Sequence, residues 1–405
     1  MLLPGAMEGI GPCPILRRAS RHAMLPCQPD RTEPSADPAA GDGNLPATDA
    51  SRALSLGDRS PTIEPTSRSL EAVQHPDDSE EPLPDRLPPE MLRSLSHIEP
   101  VRALGPIAAE WLMIAGAIAV SELWWNPVLY VLVLMFIAAR QHALLIIGHD
   151  ASHFTLLPDR RWNDWIADLI LFWPGFLSVG TYRFFHRDHH RYLATERDGN
   201  RVLWRTHDAA GVQTREWTYP KSRAALAATL FGKLCLLRGC LWVVKGTLAM
   251  LARPEFRRSS WWYVLARTSY YAAIAALLTG LGLGQDFLLY WLLPFCSWHV
   301  VIAHVRVICE HSALASTATP YHLTRTTLPR WWERLLVLPR NIGYHHEHHW
   351  YPGVPFYHLP ALHALLVRET RFGSTGEIQP SMMAALRACT RPPSRRPLFE
   401  GQAAE

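Results

Sequence analysis

The chain has 405 residues, 19% of them charged, and a formal net charge of +4. So small a charge, with no basic block interleaved with aromatics, argues against a nucleic-acid binder. Its seven cysteines have no CxxC spacing and indicate neither a disulfide framework nor a thiolate zinc site.

From residue 29 to 89 the sequence is rich in Pro, Ser, Asp, Glu and Ala and has no aromatics. Such a stretch buries too little apolar surface to offset its ordering entropy, so residues 1–90 read as a disordered N-terminal tail. Residues 1–27 lack the continuous apolar core of a signal peptide. Two apolar runs follow, 104–120 and 127–147, each near the roughly 20 residues that cross about 30 Å of hydrocarbon. The link between them holds no Lys or Arg and is easily translocated. The next run, 166–179, is broken by Pro174 and Gly175 and is too short to cross twice. Residues 224–251 are apolar but carry Lys233, Arg238 and Lys245. Each would cost roughly 2.5–3.5 kcal/mol at the bilayer centre, so this segment is expected in the interface. Runs 261–283 and 287–309 read as third and fourth spans. Basic residues lie before the first span, between the second and third, and after the fourth, which predicts both termini in the cytoplasm. The expected fold is all-α: an integral membrane bundle of four transmembrane helices with interfacial helices and a cytoplasmic cap. It occupies residues 91–380 and is followed by a C-terminal tail, 381–405.

Three histidine clusters punctuate this plan: His149 and His153; His186, His189 and His190; His345, His348 and His349. Side chains at i, i+3 and i+4 share a helix face, so each cluster is expected to point its imidazoles one way. Groups that meet at one metal centre lie on one side of the bilayer, which requires an even number of crossings between them. No expected span separates the first two clusters and two separate the last two, so all three fall on the cytoplasmic side. Eight nitrogens exceed one tetrahedral zinc and suit two metals with open positions. Imidazole binds Fe, Zn, Cu and Ni alike. An apolar substrate in the membrane offers C–H bonds and little to hydrolyse, which favours redox iron over a membrane zinc hydrolase. A transporter would place its ligands within the spans rather than at their ends. Asp150, Asp188 and Glu347 stand inside the clusters, where a carboxylate can hold a ligand imidazole by its other nitrogen.

The sequences HDASH, HRDHH and HHEHH, set on four spans, resemble the HxxxH, HxxHH and HxxHH boxes of the membrane fatty acid desaturases and their hydroxylase and ketolase relatives. The resemblance covers residues 100–366. It implies two Fe ions in a di-iron centre, O2 as co-substrate, and electrons from a separate ferredoxin-like donor. No fused heme-domain signature is present, since Pro76, Asp77 and Asp78 follow His75. By register the implied ligands are His149, His153, His186, His189, His190, His345, His348 and His349, with His346 at a variable position. A lone histidine near the end of the last span makes His311 the ninth. Val307 departs from the pattern, standing where some relatives have Asn. The text flanking the second and third boxes looks most like bacterial members, which implies an inner-membrane enzyme with its metal site in the cytoplasm. The implied reaction is desaturation of a lipid- or carrier-bound acyl chain; hydroxylation or ketone formation on an acyl chain or apolar metabolite is the alternative. Arg183, Arg187, Arg191, Arg197 and Arg201 form a basic surface that either receives an acidic donor or faces the lipid headgroups as a basic collar.

Overall fold

The computed structural model describes residues 87–195, 197–200, 216–251, 260–314 and 322–391. All but the end of the expected N-terminal tail, Arg201, and the last part of the expected C-terminal tail lie outside them.

The described residues are predominantly helical. The first two apolar runs form the helices Pro100–Leu123 and Pro127–Ala151. A short turn holding the exposed Trp124 and Trp125 joins them. Asn126 starts the second helix by accepting from the Leu129 N–H, with Pro127 at the first helical position. Ile107, Ile114, Val133, Ile137, Leu144 and Ile147 form the apolar seam shared by the pair. Polar groups also meet within this hairpin. Glu110, fully buried, lies 3.0 Å from the Arg140 guanidinium and accepts from Arg340 Nε at 2.8 Å. Arg140 also donates to the Leu335 carbonyl, and Gln141 donates to the Trp291 carbonyl at 2.9 Å.

The short run behaves as its length demands. Helix Arg160–Ile166, capped by Asp159, runs through a π-helical turn, Ala167–Phe172, into the tight turn Trp173–Gly175. It packs against the end of Pro127–Ala151, where a Cβ on Gly148 would meet the Phe172 ring at 3.0 Å. The chain then reverses into the helix Val179–Arg191, capped by Ser178.

Among the described residues three helices are long and apolar enough to cross a membrane: Pro100–Leu123, Pro127–Ala151 and Gly284–His311. The last is interrupted after Pro294, at Cys296 and Ser297. The expected third span is a helix, Trp261–Gly280, with no buried residues. Its aromatic residues and Arg267 dilute its hydropathy, and it is not among the three. The segment expected in the interface forms two helices, Arg223–Lys233 and Leu236–Leu251, bent by 73°; their apolar composition allows a broken crossing or a re-entrant loop.

Beyond His311 a compact layer of short helices is tied together by one parallel strand pair, Thr326–Thr327 with Ile378–Gln379. The expected C-terminal tail begins, within the described residues, as a packed helix. Met382 and Ala385 of Met382–Ala388 are buried with Val305, Cys309, Leu338 and Ile342. Its apolar residues recur at helical spacing, so the segment is part of the folded domain up to residue 391.

Candidate metal centre

The histidines stand at the ends of elements. His149 occupies the last turn of Pro127–Ala151, and His153 the turn that follows. His186, His189 and His190 lie on Val179–Arg191, and His311 ends Trp298–His311. His345, His348 and His349 belong to the short helix His345–Trp350. Gly343 brings that helix in: a Cβ there would meet the Thr327 carbonyl at 2.2 Å. Any larger residue would push the helix away from the strand.

Among the described residues two groups of donor atoms form, each with its atoms within 4.8 Å of one another. One comprises His149, His153, His186, His190 and His348; the other comprises His189, His311, His345 and His349. Together they hold all nine histidines singled out from the sequence. The expectation that each cluster points one way needs correction, because the second and third clusters divide between the groups. The reason is angular. A helix turns about 100° per residue, so i and i+4 lie about 40° apart while i+3 falls about 60° to the other side. His186 and His190 therefore share one group and His189 joins the other. His345 and His349 pair likewise, and His348 departs.

The spacing suits metal ions. Two nitrogens about 2.1 Å from one ion stand about 3.0 Å apart at a right angle and about 3.4 Å apart at a tetrahedral one. In the first group His190 Nε2 lies 2.9 Å from His186 Nε2 and 3.1 Å from His348 Nε2. In the second His311 Nε2 lies 2.9 Å from His345 Nε2 and 3.2 Å from His189 Nε2, and His349 Nε2 lies 3.1 Å from His345 Nε2. Both nitrogens of buried His149, and Nε2 of His153, have no hydrogen-bond partner. An orphaned buried polar atom costs about 1–3 kcal/mol, and an ion would relieve it. Burial, followed by the mutual repulsion of neighbouring imidazoles, holds His186, His348 and His349 well below the ordinary histidine range. Burial, with Arg183 nearby, lowers His153 to about 4. These rings are therefore neutral at pH 7, with lone pairs free for a metal.

The carboxylates that touch this centre are not those inside the clusters. Asp150 accepts from the Phe356 N–H and from Thr155. Asp188 is half-buried, 3.8 Å from Arg187. Glu347 accepts from Thr326 and lies 2.5 Å from His363 Nδ1, which pins its short helix to the cap rather than holding a clustered ring. Asp198, fully buried, instead lies 2.7 Å from His189 Nδ1, and Glu310 lies 3.5 Å from His345 Nδ1. Both escaped the sequence reading. Asp198 follows its box by eight residues, and Glu310 was hidden beside His311; a carboxylate at the end of an apolar span was the available signal. Asp198→Asn is expected to lower metal affinity or turnover about 10–100-fold. Metal content of the purified protein tests this, and wild-type loading would relieve Asp198 of the role.

Arg183, assigned from the sequence to a basic outer surface, is committed inward. It donates to the Ser152 carbonyl at 2.7 Å and pairs with Asp164 at 2.5 Å, clamping the first cluster to the second. Arg187 and Arg191 remain exposed. His346 belongs to neither group; it lies against Thr324 Oγ1 at 2.9 Å and stacks on Phe372. His304 stacks on Trp217.

Residues 122–376 match the family model described as fatty acid desaturase. A dihydrorhizobitoxine desaturase of Bradyrhizobium elkanii is 29% identical over 287 residues, covering 67% of this chain and 77% of that protein. A sphingolipid delta(4)-desaturase of Bos taurus is 26% identical over 262 residues, covering 60% of this chain and 66% of the relative.

Proposed function

We propose, since the chain belongs to the fatty acid desaturase family, that it desaturates a lipid- or carrier-bound acyl chain with O2, two Fe ions and electrons from a separate donor. The observation that carries this reading is the pairing of five and four histidine donors in adjacent groups at metal-ligand spacing. When bound, the two irons would supply activation of O2. The balance is removal of two hydrogens from neighbouring methylenes, with O2, two electrons and two protons giving two waters.

The chain's own part is to bind and orient. The nine histidines His149, His153, His186, His190 and His348, and His189, His311, His345 and His349, offer imidazole nitrogens converging on two points. The Asp198 carboxylate accepts from His189 Nδ1–H, which fixes the tautomer and turns Nε2 to the centre. Glu310 stands in a similar place behind His345. The outward Arg187 and Arg191 offer an acidic, ferredoxin-like donor a landing surface.

Topology supports a four-span bundle. His190 and His345 lie in adjoining groups, so an even number of crossings separates them. Gly284–His311 is one. Trp261–Gly280 is the companion we assign, because its 20 residues rise about 30 Å and it packs on the bundle along one face only, through Tyr263, Arg267 and Tyr271. This keeps both ends of the domain and the centre on the cytoplasmic side of a bacterial inner membrane. The basic residues between the second and third spans agree.

Expression in a host with a ferredoxin-type donor, with lipids and metabolites compared by mass spectrometry with and without oxygen, tests the reading. Products lacking two hydrogens that form only in oxygen are expected. Gain of one oxygen atom would transfer the chain to hydroxylation, and absence of any oxygen-dependent product would overturn the assignment.

A further inference from the structure

Deeper in the bundle than the metal centre lies a second pair of histidines. His142 and His299 are both 3% exposed. Their ring centroids are 5.4 Å apart, and neither ring belongs to a metal-binding group. His142 finds no hydrogen-bond partner at Nδ1 or Nε2, and His299 finds none at Nδ1. His142 precedes His149 by seven residues on one continuous helix, so it lies about 10 Å further into the membrane on nearly the same face.

Arg140 and Arg306 lie within electrostatic reach of His142, and His299 contacts the Ala138 backbone, yet none of these pairs with the three open nitrogens. Phe295 stacks on His299 at 4.7 Å, and Phe176 packs on Phe295 at 6.1 Å. Leu145 and Phe295 close over Gly175, where an added Cβ would meet them at 3.2 and 3.7 Å. A lining for a plain hydrocarbon tail would use apolar side chains alone. Two buried imidazoles with three open nitrogens are costly unless a polar group arrives to pair with them.

We propose that His142 and His299 form a polar subsite that receives an oxygen-bearing group, a hydroxyl or ether, on the membrane-ward part of the substrate. This rests on the desaturase reading and narrows its substrate class. The preferred chain then carries an oxygen substituent beyond its reacting carbons rather than ending as pure hydrocarbon. Rejection works through the same atoms. An unsubstituted chain leaves the imidazoles unpaired, whereas a chain with a hydroxyl satisfies them, and sites built to hydrogen-bond a group discriminate strongly against analogues that lack it.

The test supplies the full-length protein, in membranes with its electron donor, with equal amounts of palmitic acid and a set of hydroxyhexadecanoic acids bearing the hydroxyl on successive carbons of the distal half. Oxygen-dependent products are then compared. At least one hydroxy acid should be converted ten or more times faster than palmitic acid. His142→Leu and His299→Leu should each collapse that ratio towards one, while His142→Gln, which keeps a polar terminus, should retain most of it. Metal content and detergent gel filtration of each variant identify a misfolded protein, and the wild-type ratio stands independently of the variants. Equal or better use of palmitic acid by the wild type would overturn the subsite while leaving the desaturase reading intact. Product from no chain at all would overturn both.

Discussion

Alanine at His190 or at His349 is expected to abolish turnover, although the two residues belong to different groups of donors. His190→Ala reduces the first group from five histidines to four, and His349→Ala reduces the second from four to three. The two rings stack at 4.1 Å, so each loss also opens space beside the other group. The fall should exceed about 100-fold, the upper end of what removal of a ligand's outer partner costs. Bound iron per chain, measured alongside product formation, separates loss of metal from a metal held wrongly. Activity retained in either variant would remove that residue from the centre.

Glu110→Ala is expected to destabilise the protein by about 3–5 kcal/mol, the range for stripping one partner from a buried ion pair. Glu110 is fully buried and lies within hydrogen-bonding distance of both Arg140 and Arg340. Removing it leaves Arg140, only 4% exposed, as an unbalanced charge inside a span. The paired change Glu110→Leu with Arg140→Leu should recover much of the loss, because apolar residues replace the buried pair and the remaining Arg340 is partly exposed to water. Thermal unfolding in detergent reads both. A loss below about 1 kcal/mol for Glu110→Ala would mean that water reaches these groups and that the triad is no buried anchor.

The sequence carried the histidines well because their spacing is a local signal. Residues at i, i+3 and i+4 announce a shared face without knowledge of what lies opposite. The division of each triple follows from the helix's own turn per residue, but which rings from distant helices complete each half is what no local pattern records. Asp198 and Glu310 were missed for the same reason: a carboxylate beside an imidazole is a relation across the fold, whereas Asp150, Asp188 and Glu347 were merely near in number. Arg140 and Gln141 stand inside a span, where a lone charge is costly. Their partners, Glu110 and the Trp291 carbonyl, lie 30 and 150 positions away. Trp261–Gly280 shows the opposite limit. Its length was legible, but aromatic residues that suit a membrane interface also lower the apolar average by which a crossing is recognised.

The division of the histidine triples has a metrical consequence. His189 and His190 are neighbours in sequence, yet their ring centroids stand 6.1 Å apart and serve different groups. His348 and His349 repeat the arrangement at 6.0 Å. Two helices from distant parts of the chain thus carry the same gauge, cut by the backbone's own winding. The separation between the two binding points is set by helical pitch rather than by the lengths of loops, so connecting segments can vary while that interval is conserved.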